Sequence, residues 1–363
     1  MPGKRLLLAV MLLTPALTAG ANDKALLIEL DQRSAALPAS VSASGAVVVG
    51  SFGEGIGGFY WMPTTGAVAT GGLVAASVSR DGRTIVGRAI DSRTIQAAIW
   101  LRAAEWKLLG SFRPGAAPCD ASLSGAQGTS GDGRVVVGHA YDGCNFTHAF
   151  RWEQSTGMVD LGSSVAGHPS LATGVSGDGK VVVGYQEDAT GYRRGARWLD
   201  GRQELIPGSI GFVGSANAAN NDATIIVGRI CNPAALRPGD PNFQNAWMWT
   251  PGGGTKCLPA PSLRPSPGPA IIVEANATSD DGRVLGGSQN VAGSADSNAI
   301  IWIDGTPTYL KDYLRAHGVP DAFESWPNTG AINGISPDGR ILVGVGAAPA
   351  GFRGYIVILG EKP

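Results

Sequence analysis

The sequence predicts an all-β fold: a seven-bladed β-propeller of four-stranded antiparallel blades, the last completed by the N-terminal strand. Three observations predict it. A short hairpin motif recurs along the chain. An aromatic strand follows each copy. The last copy stops one strand short, while an unpaired strand precedes the first.

The hairpin is clearest in GVSGDGKVVVGY, Gly174 to Tyr185. Val181, Val182 and Val183 are β-branched and favour a pleated, packed surface over a helix. Asp178-Gly179 tolerates positive φ, so the chain can reverse tightly. Ser176 is placed to hydrogen-bond the turn. Gly184 ends the apolar run where a side chain would be crowded. One such hairpin is marginal alone and needs neighbours.

The neighbours are VSASGAVVVG (41–50), VSRDGRTIVG (78–87), TSGDGRVVVG (129–138), ANNDATIIVG (219–228), TSDDGRVLGG (278–287) and ISPDGRILVG (335–344). The aromatic strands that follow are marked by Trp61, Trp100, Trp152, Trp198, Trp249, Trp302 and Tyr355. Behind the first six comes a short turn and a weaker fourth strand, such as WKLLG (106–110) or GMVDLG (157–162). Four strands at a period of roughly 50 residues is the signature of a propeller blade. The last copy ends at its third strand, Tyr355 to Leu359. ALLIEL, Ala25 to Leu30, supplies the fourth, closes the ring and removes an exposed edge.

The chain has 363 residues, a formal net charge of −1 and a pI near 6.4. A nucleic-acid binder would carry a basic excess, so that class of partner is not expected. Glycine at 54 residues beside 44% hydrophobic residues indicates many tight turns, not a disordered linker. Residues 1–21 read as a signal peptide: Lys4 and Arg5, an apolar core from Leu6 to Leu13, and the small residues Ala19-Gly20-Ala21. No stretch is long enough for a transmembrane helix. The expectation is a secreted monomer, periplasmic or extracellular, with one domain over 22–363. Cys119, Cys144, Cys231 and Cys257 suit that compartment. Four cysteines allow three pairings. Strand direction favours Cys119–Cys144, whose loops share a face, and less firmly Cys231–Cys257. There is no CxxC and no ligand-like histidine spacing, so neither metal nor cofactor is expected.

THAFRWEQSTGMVDLG (147–162) contains His148-Ala149-Phe150, the triplet that names the HAF family of extracellular bacterial repeat proteins. LKDYLRAHGV (310–319), followed by ISPDGR and a C-terminal strand, has the order found at the ends of such proteins. The chain resembles that family over nearly its whole mature length. AAIW, GARW, NAWMW and NAIIW stand where HAFRW would recur. The resemblance implies secretion and a repeat-built fold, and it implies no activity.

Gly53 to Gly58 matches GxGxxG, but the strand Phe59-Tyr60-Trp61 follows instead of a helix, so it reads as a glycine-rich hairpin. Asp81, Asp132, Asp178, Asp222, Asp281 and Asp338 recur once per unit. Turn chemistry explains them better than a catalytic pair, which needs two carboxylates at one site. The recurring aromatics suit packing between blades. Trp326, outside that register, is the better ligand candidate. No GxSxG, Walker loop or HExxH occurs.

Five residues before each turn aspartate, or its equivalent, lie Ala39, Ala76, Gln127, Thr173, Asn217, Asn276 and Asn333. They are expected to ring a central channel, bonded to backbone and water or to a ligand. Glu274 is the one carboxylate near that ring. The ligand-binding candidates are therefore Glu274, Asn276, Asn333, Asn217 and Trp326. The long connections, 139–147, 229–243, 259–269 and 311–327, all fall on one face. The spacing of Leu310, Tyr313 and Leu314 predicts a short helix over 310–319. Long loops on a rigid scaffold carry binding residues, so a glycan or protein partner is expected there, near blades five to seven. The expected function is a non-enzymatic binding or scaffold module. The alternative is a carbohydrate-active hydrolase or lyase at the channel mouth, and fold alone does not choose.

Overall fold

The computed structural model describes residues 24–30, 35–53, 57–91, 94–101, 105–112, 124–142, 146–211, 214–231, 245–261, 271–291, 294 and 296–360. The expected signal peptide, Cys119, Cys144 and residues 54–56 of the GxGxxG stretch lie outside them.

Almost all regular structure is antiparallel β. Strand β1 (Leu26–Glu29) stands before the first full sheet, which is β2 (Ala36–Val41), β3 (Val48–Phe52), β4 (Gly58–Met62) and β5 (Gly66–Ala69). The next is β6 (Val74–Val78), β7 (Thr84–Ile90), β8 (Ile95–Leu101) and β9 (Lys107–Gly110). Then come β10 (Ser124–Thr129), β11 (Val136–Tyr141), β12 (Thr147–Glu153) and β13 (Gly157–Asp160). The fourth is β14 (Ser170–Val175), β15 (Val181–Glu187), β16 (Arg193–Leu199) and β17 (Arg202–Gly211). An eight-stranded sheet holds β18 (Ser215–Ala219), β19 (Ile226–Cys231), β20 (Asn245–Thr250), β21 (Gly254–Cys257), β22 (Ile271–Thr278), β23 (Val284–Val291), β24 (Ser297–Ile303) and β25 (Thr306–Tyr309). Within it, the runs β18–β21 and β22–β25 are joined at a single residue pair, Arg229 with Glu274. The last sheet is β26 (Asn328–Ile335), β27 (Ile341–Ala348), β28 (Gly351–Ile358) and β1, with Leu26 opposite Ile358 and Glu29 opposite Tyr355. The N-terminal strand therefore completes the final sheet, as the sequence predicts.

Each hairpin is held by its own turn. The Ser176 hydroxyl donates to Asp178 Oδ1 at 2.7 Å and accepts the Val181 N–H at 3.0 Å. Asp178 Oδ1 also accepts the Lys180 N–H at 3.1 Å. Gly179 takes φ +78°, the left-handed region that glycine enters without steric cost. Ser79, Ser130, Ser279 and Ser336 repeat the hydroxyl-to-aspartate bond. In the copy that lacks serine, Asn220 takes its place and Thr224 bonds Asp222.

The core lies between consecutive sheets. Trp198 packs on Val135 and Val137 of the sheet before it, Trp249 on Val181 and Val183, and Trp302 on Val227. Tyr355 packs on Ala299 and Ile301, and Trp61 on Ile341, Val343 and Ile356. The aromatic series is thus spent on inter-sheet packing. Helix α1 (Leu310–Ala316) follows β25 and turns Leu310 and Leu314, one helical repeat apart, into the same core. Among the described residues, no helix is long and apolar enough to cross a membrane.

Candidate functional site

The first strand of each run carries one residue too many. Pairing slips between Pro38 and Ser40, Ala75 and Ser77, Ala126 and Gly128, and Ala172 and Gly174. It slips again between Ala216 and Ala218, Ala275 and Ala277, and Ile332 and Gly334. The extra residues are Ala39, Ala76, Gln127, Thr173, Asn217, Asn276 and Asn333. A β-bulge re-aims the extra side chain, and here all of them line one central cavity of about 280 Å³.

Four of the five polar members of this ring bond from sheet to sheet. Thr173 Oγ1 donates to the Ala216 carbonyl at 2.7 Å. Asn217 Nδ2 donates to the Ala275 carbonyl at 3.0 Å and to Asn276 Oδ1 at 3.2 Å. Asn276 Nδ2 reaches the Ile332 carbonyl at 3.2 Å, and Asn333 Nδ2 the Pro38 carbonyl at 2.9 Å. Each amide or hydroxyl satisfies a carbonyl that the neighbouring bulge has freed from its own ladder.

From this ring the cavity runs toward the Asp-Gly turns, where Arg80, Gly131, Gly177, Asp280 and Pro337 also line it. A second ring of bonds joins the turns. The Ala43 N–H donates to Arg80 O, the Arg80 N–H to Gly131 O, and the Gly131 N–H to Gly177 O, at 2.8–2.9 Å. Asn220 Nδ2 bonds Asp280 O at 2.9 Å, and the Asp280 N–H bonds Pro337 O at 2.8 Å.

Across this opening lies an ion pair between distant sheets. Arg80 Nη1 and Nη2 meet Asp280 Oδ2 and Oδ1 at 2.8 and 2.6 Å, a two-pronged contact. The Arg80 side chain passes over Gly131 and Gly177. A Cβ on either would fall 2.7 Å from its atoms, so glycine leaves the path clear. Sequence reasoning missed this pair. Its signal was present: Arg80 and Asp280 are the only charged residues at the position preceding the turn aspartate.

Glu274 sits two residues outward from the ring, on β22. Its Oε1 accepts from Arg229 Nη1 at 2.9 Å, while Arg229 Nε bonds Ser215 Oγ at 3.2 Å and Ser215 Oγ bonds Asn217 Oδ1 at 2.6 Å. Glu274, Asn217 and Asn276 therefore belong to one connected network. Asn333 continues the ring. Trp326 does not join them, and its expected place at a ligand surface is corrected. It is 5% exposed and packs edge-on against Phe323 and Tyr355 beneath α1. An insert carrying a helix needs its own apolar floor, and Trp326 is part of it. The cavity also faces the turns, opposite to the long-loop face favoured by the sequence. Of the long connections, residues 143–145, 232–244 and 262–270 lie outside the described residues.

Cys257 is disulfide-bonded. Its backbone lies opposite Trp247 on β20, and that of Cys231 opposite Asn245, so both border the start of the same strand.

No protein-family model and no curated protein matches the chain. Solved structures do. The β-propeller domain of the trilobed protease of Pyrococcus furiosus superposes with a TM-score of 0.53 at 10% identity, covering 90% of this chain and 97% of that one. An oligogalacturonate lyase of Vibrio parahaemolyticus gives 0.51 at 10% identity over 94% and 99%. A TolB of Acinetobacter baumannii gives 0.46 at 12% identity over 79% of this chain, which spans only 63% of that protein's length. Successive four-stranded antiparallel sheets around a central cavity, together with the likeness to the trilobed-protease propeller and the oligogalacturonate lyase, define the class: the chain is a β-propeller.

Proposed function

We propose that the chain is a secreted, non-enzymatic binding or scaffold propeller of seven blades. In this reading the eight-stranded sheet is two blades that touch at Arg229 and Glu274. The HAF-type repeats and residues 1–21 support export and a place in the envelope or outside the cell.

One observation carries the binding reading: four of the five polar ring residues and both carboxylates beside the channel are already bonded. Thr173, Asn217, Asn276 and Asn333 each hold the neighbouring sheet. Glu274 is paired with Arg229, and Asp280 with Arg80. The turn aspartates are engaged by their own turns. Groups committed in this way stiffen a ring and are poorly placed for proton transfer. With the turn-side opening crossed by Arg80 and Asp280, the long-loop face is the surface left for a glycan or protein partner of this monomeric ring. The oligogalacturonate lyase shares only the fold with this chain, so its activity does not carry across.

A glycan-array screen, run beside an activity screen on the same polysaccharides, tests the reading. Binding without turnover is the expected result. Turnover of a bound polysaccharide would replace it with the hydrolase or lyase reading. For the cysteines, Cys119–Cys144 and Cys231–Cys257 are the expected links in non-reducing peptide mapping. A peptide joining Cys119 to Cys231 or Cys257 would overturn that assignment.

A further inference from the structure

The repeat offers an internal comparison. Strands β7, β11, β15 and β19 each carry a large polar residue just after the glycine that ends their apolar run: Arg88, His139, Tyr185 and Arg229. Each is paired across its own sheet with the residue two before the bulge: Val74, Gly125, Leu171 and Ser215. Between the runs β18–β21 and β22–β25, Arg229 reaches into the next run and finds the carboxylate of Glu274 at 2.9 Å. Glu274 is itself two residues before a bulge.

Arg88 occupies the position of Arg229 and leans toward the next sheet in the same way. The residue it meets there, at the position of Glu274, is Gly125. A Cβ on Gly125 would fall 3.0 Å from Arg88 Cδ and 2.9 Å from His139 Cε1, so both side chains come together over that glycine. Among the described residues the Arg88 guanidinium has no hydrogen-bond or ion-pair partner, and neither has His139 Nδ1, which is buried. Gly125 does not have a positive φ, and the atoms around its missing side chain are the ends of side chains, not backbone. Nothing in the backbone demands glycine there. What its presence does is remove the carboxylate that answers the arginine at the sister junction.

An arginine at a part-buried site is stabilised by a matching acceptor, and a carboxylate fits its planar fork two-pronged. We infer that the niche formed by Arg88, His139 and Gly125 binds a carboxylate from outside the chain, which takes the place that Glu274 fills beside Arg229. The ligand's oxygens accept from the guanidinium and lie against the imidazole edge. The class is a carboxylate-bearing small molecule, free or as the acid group of a sugar. The site lies two residues outward from the bulge ring, at the end of the channel away from the Asp-Gly turns. It deepens the binding reading above by naming a ligand chemistry, and it rests on that reading.

The test uses the full mature chain titrated with sodium acetate and sodium glucuronate, with glucose and sodium phosphate as comparators. The His139 ring resonances in NMR and the heat of binding are the readouts. Saturable binding of acetate and glucuronate is expected, with a shift at His139. Tighter binding of glucuronate assigns an acidic sugar, and equal binding assigns the free carboxylate. Arg88→Gln should weaken binding at least tenfold. Gly125→Glu should abolish it by supplying the internal carboxylate, with the melting temperature held or raised. If Gly125→Glu does not fold, Arg88→Gln carries the test alone. No saturable shift with either carboxylate, binding undiminished in Arg88→Gln, or phosphate bound as tightly as acetate would each overturn the assignment. A blank glycan array beside intact acetate binding would reject the wider reading and leave this site standing.

Discussion

At Gly184 the first residue after a valine run decides whether two strands can meet. A Cβ there would lie 2.0 Å from the Leu171 carbonyl oxygen and 2.9 Å from Ala172 Cα. Both are backbone atoms of β14, and they crowd in because the bulge at Thr173 tips that strand toward its partner. The clash cannot be relieved by a rotamer change. Gly184→Ala is expected to destabilise the fold by about 3 kcal/mol or more, at or beyond the upper end for overpacking, as read from a shift in the urea midpoint. A shift within experimental scatter would mean that the strands can part freely. The crowding was legible in the sequence as a glycine closing an apolar run. Its cause was not, because a bulge adds one residue without any compositional mark. Counting back from each turn aspartate located the ring residues, but could not show that their amides bond the next sheet.

At the scale of the hairpin, charge and turn are coupled. Hydrogen bonds from Ser79 and Thr224 hold Asp81 and Asp222 below the usual carboxylate range. At Asp132 and Asp178 burial pushes the other way. The hydroxyls of Ser130 and Ser176, the turn N–H and the neighbouring Arg134 or Lys180 outweigh it. A depressed folded value stabilises the fold above the unfolded value of about 3.9, and that contribution fades as pH falls through the folded one. In thermal scans followed by circular dichroism, these turns should add a decline in melting temperature below about pH 4, beyond the earlier loss below about pH 6.5 that buried His139, held down to about 4, brings. In Asp178→Asn the acid decline should be shallower, and an unchanged decline would remove this turn from the account. The turn motif was the most legible element of the chain, since serine, aspartate and glycine each act locally. Trp326 was misjudged for the opposite reason. Its burial depends on α1 and on Tyr355, which is distant in sequence and supplies the floor beneath it.

Across the whole ring, two contacts tie distant parts of the chain. Arg80 and Asp280 are 34% exposed, so solvent screens them, and their pairing is worth at most about 1 kcal/mol. A double-mutant cycle of Arg80→Met and Asp280→Asn should return a coupling of that size, falling as salt is added. A coupling of zero would leave the pair as a plug without stabilising effect. Strand β1 matters more. Deleting residues 22–31 uncovers the edge of β28, removes the Glu29–Arg353 ion pair, and should lower the melting temperature and cause aggregation. A truncated chain that melts at the original temperature would refute closure by this strand. Blade order and closure were readable because repeats make every unit a template for the others. The contacts that cross the channel were hidden because they join single copies, not the repeat.

The closing strand sets a schedule for biosynthesis. Leu26 to Glu29 are synthesised long before their partners, Tyr355 to Ile358. Every intermediate length of nascent chain therefore carries a β1 with nothing to zip onto and a ring gaping by one strand. Sheets can condense in sequence, but the final latch waits for Tyr355 to Ile358. A chain stalled before β28 would be left open with a frayed edge at each end, the kind of species that holdase chaperones and proteases capture.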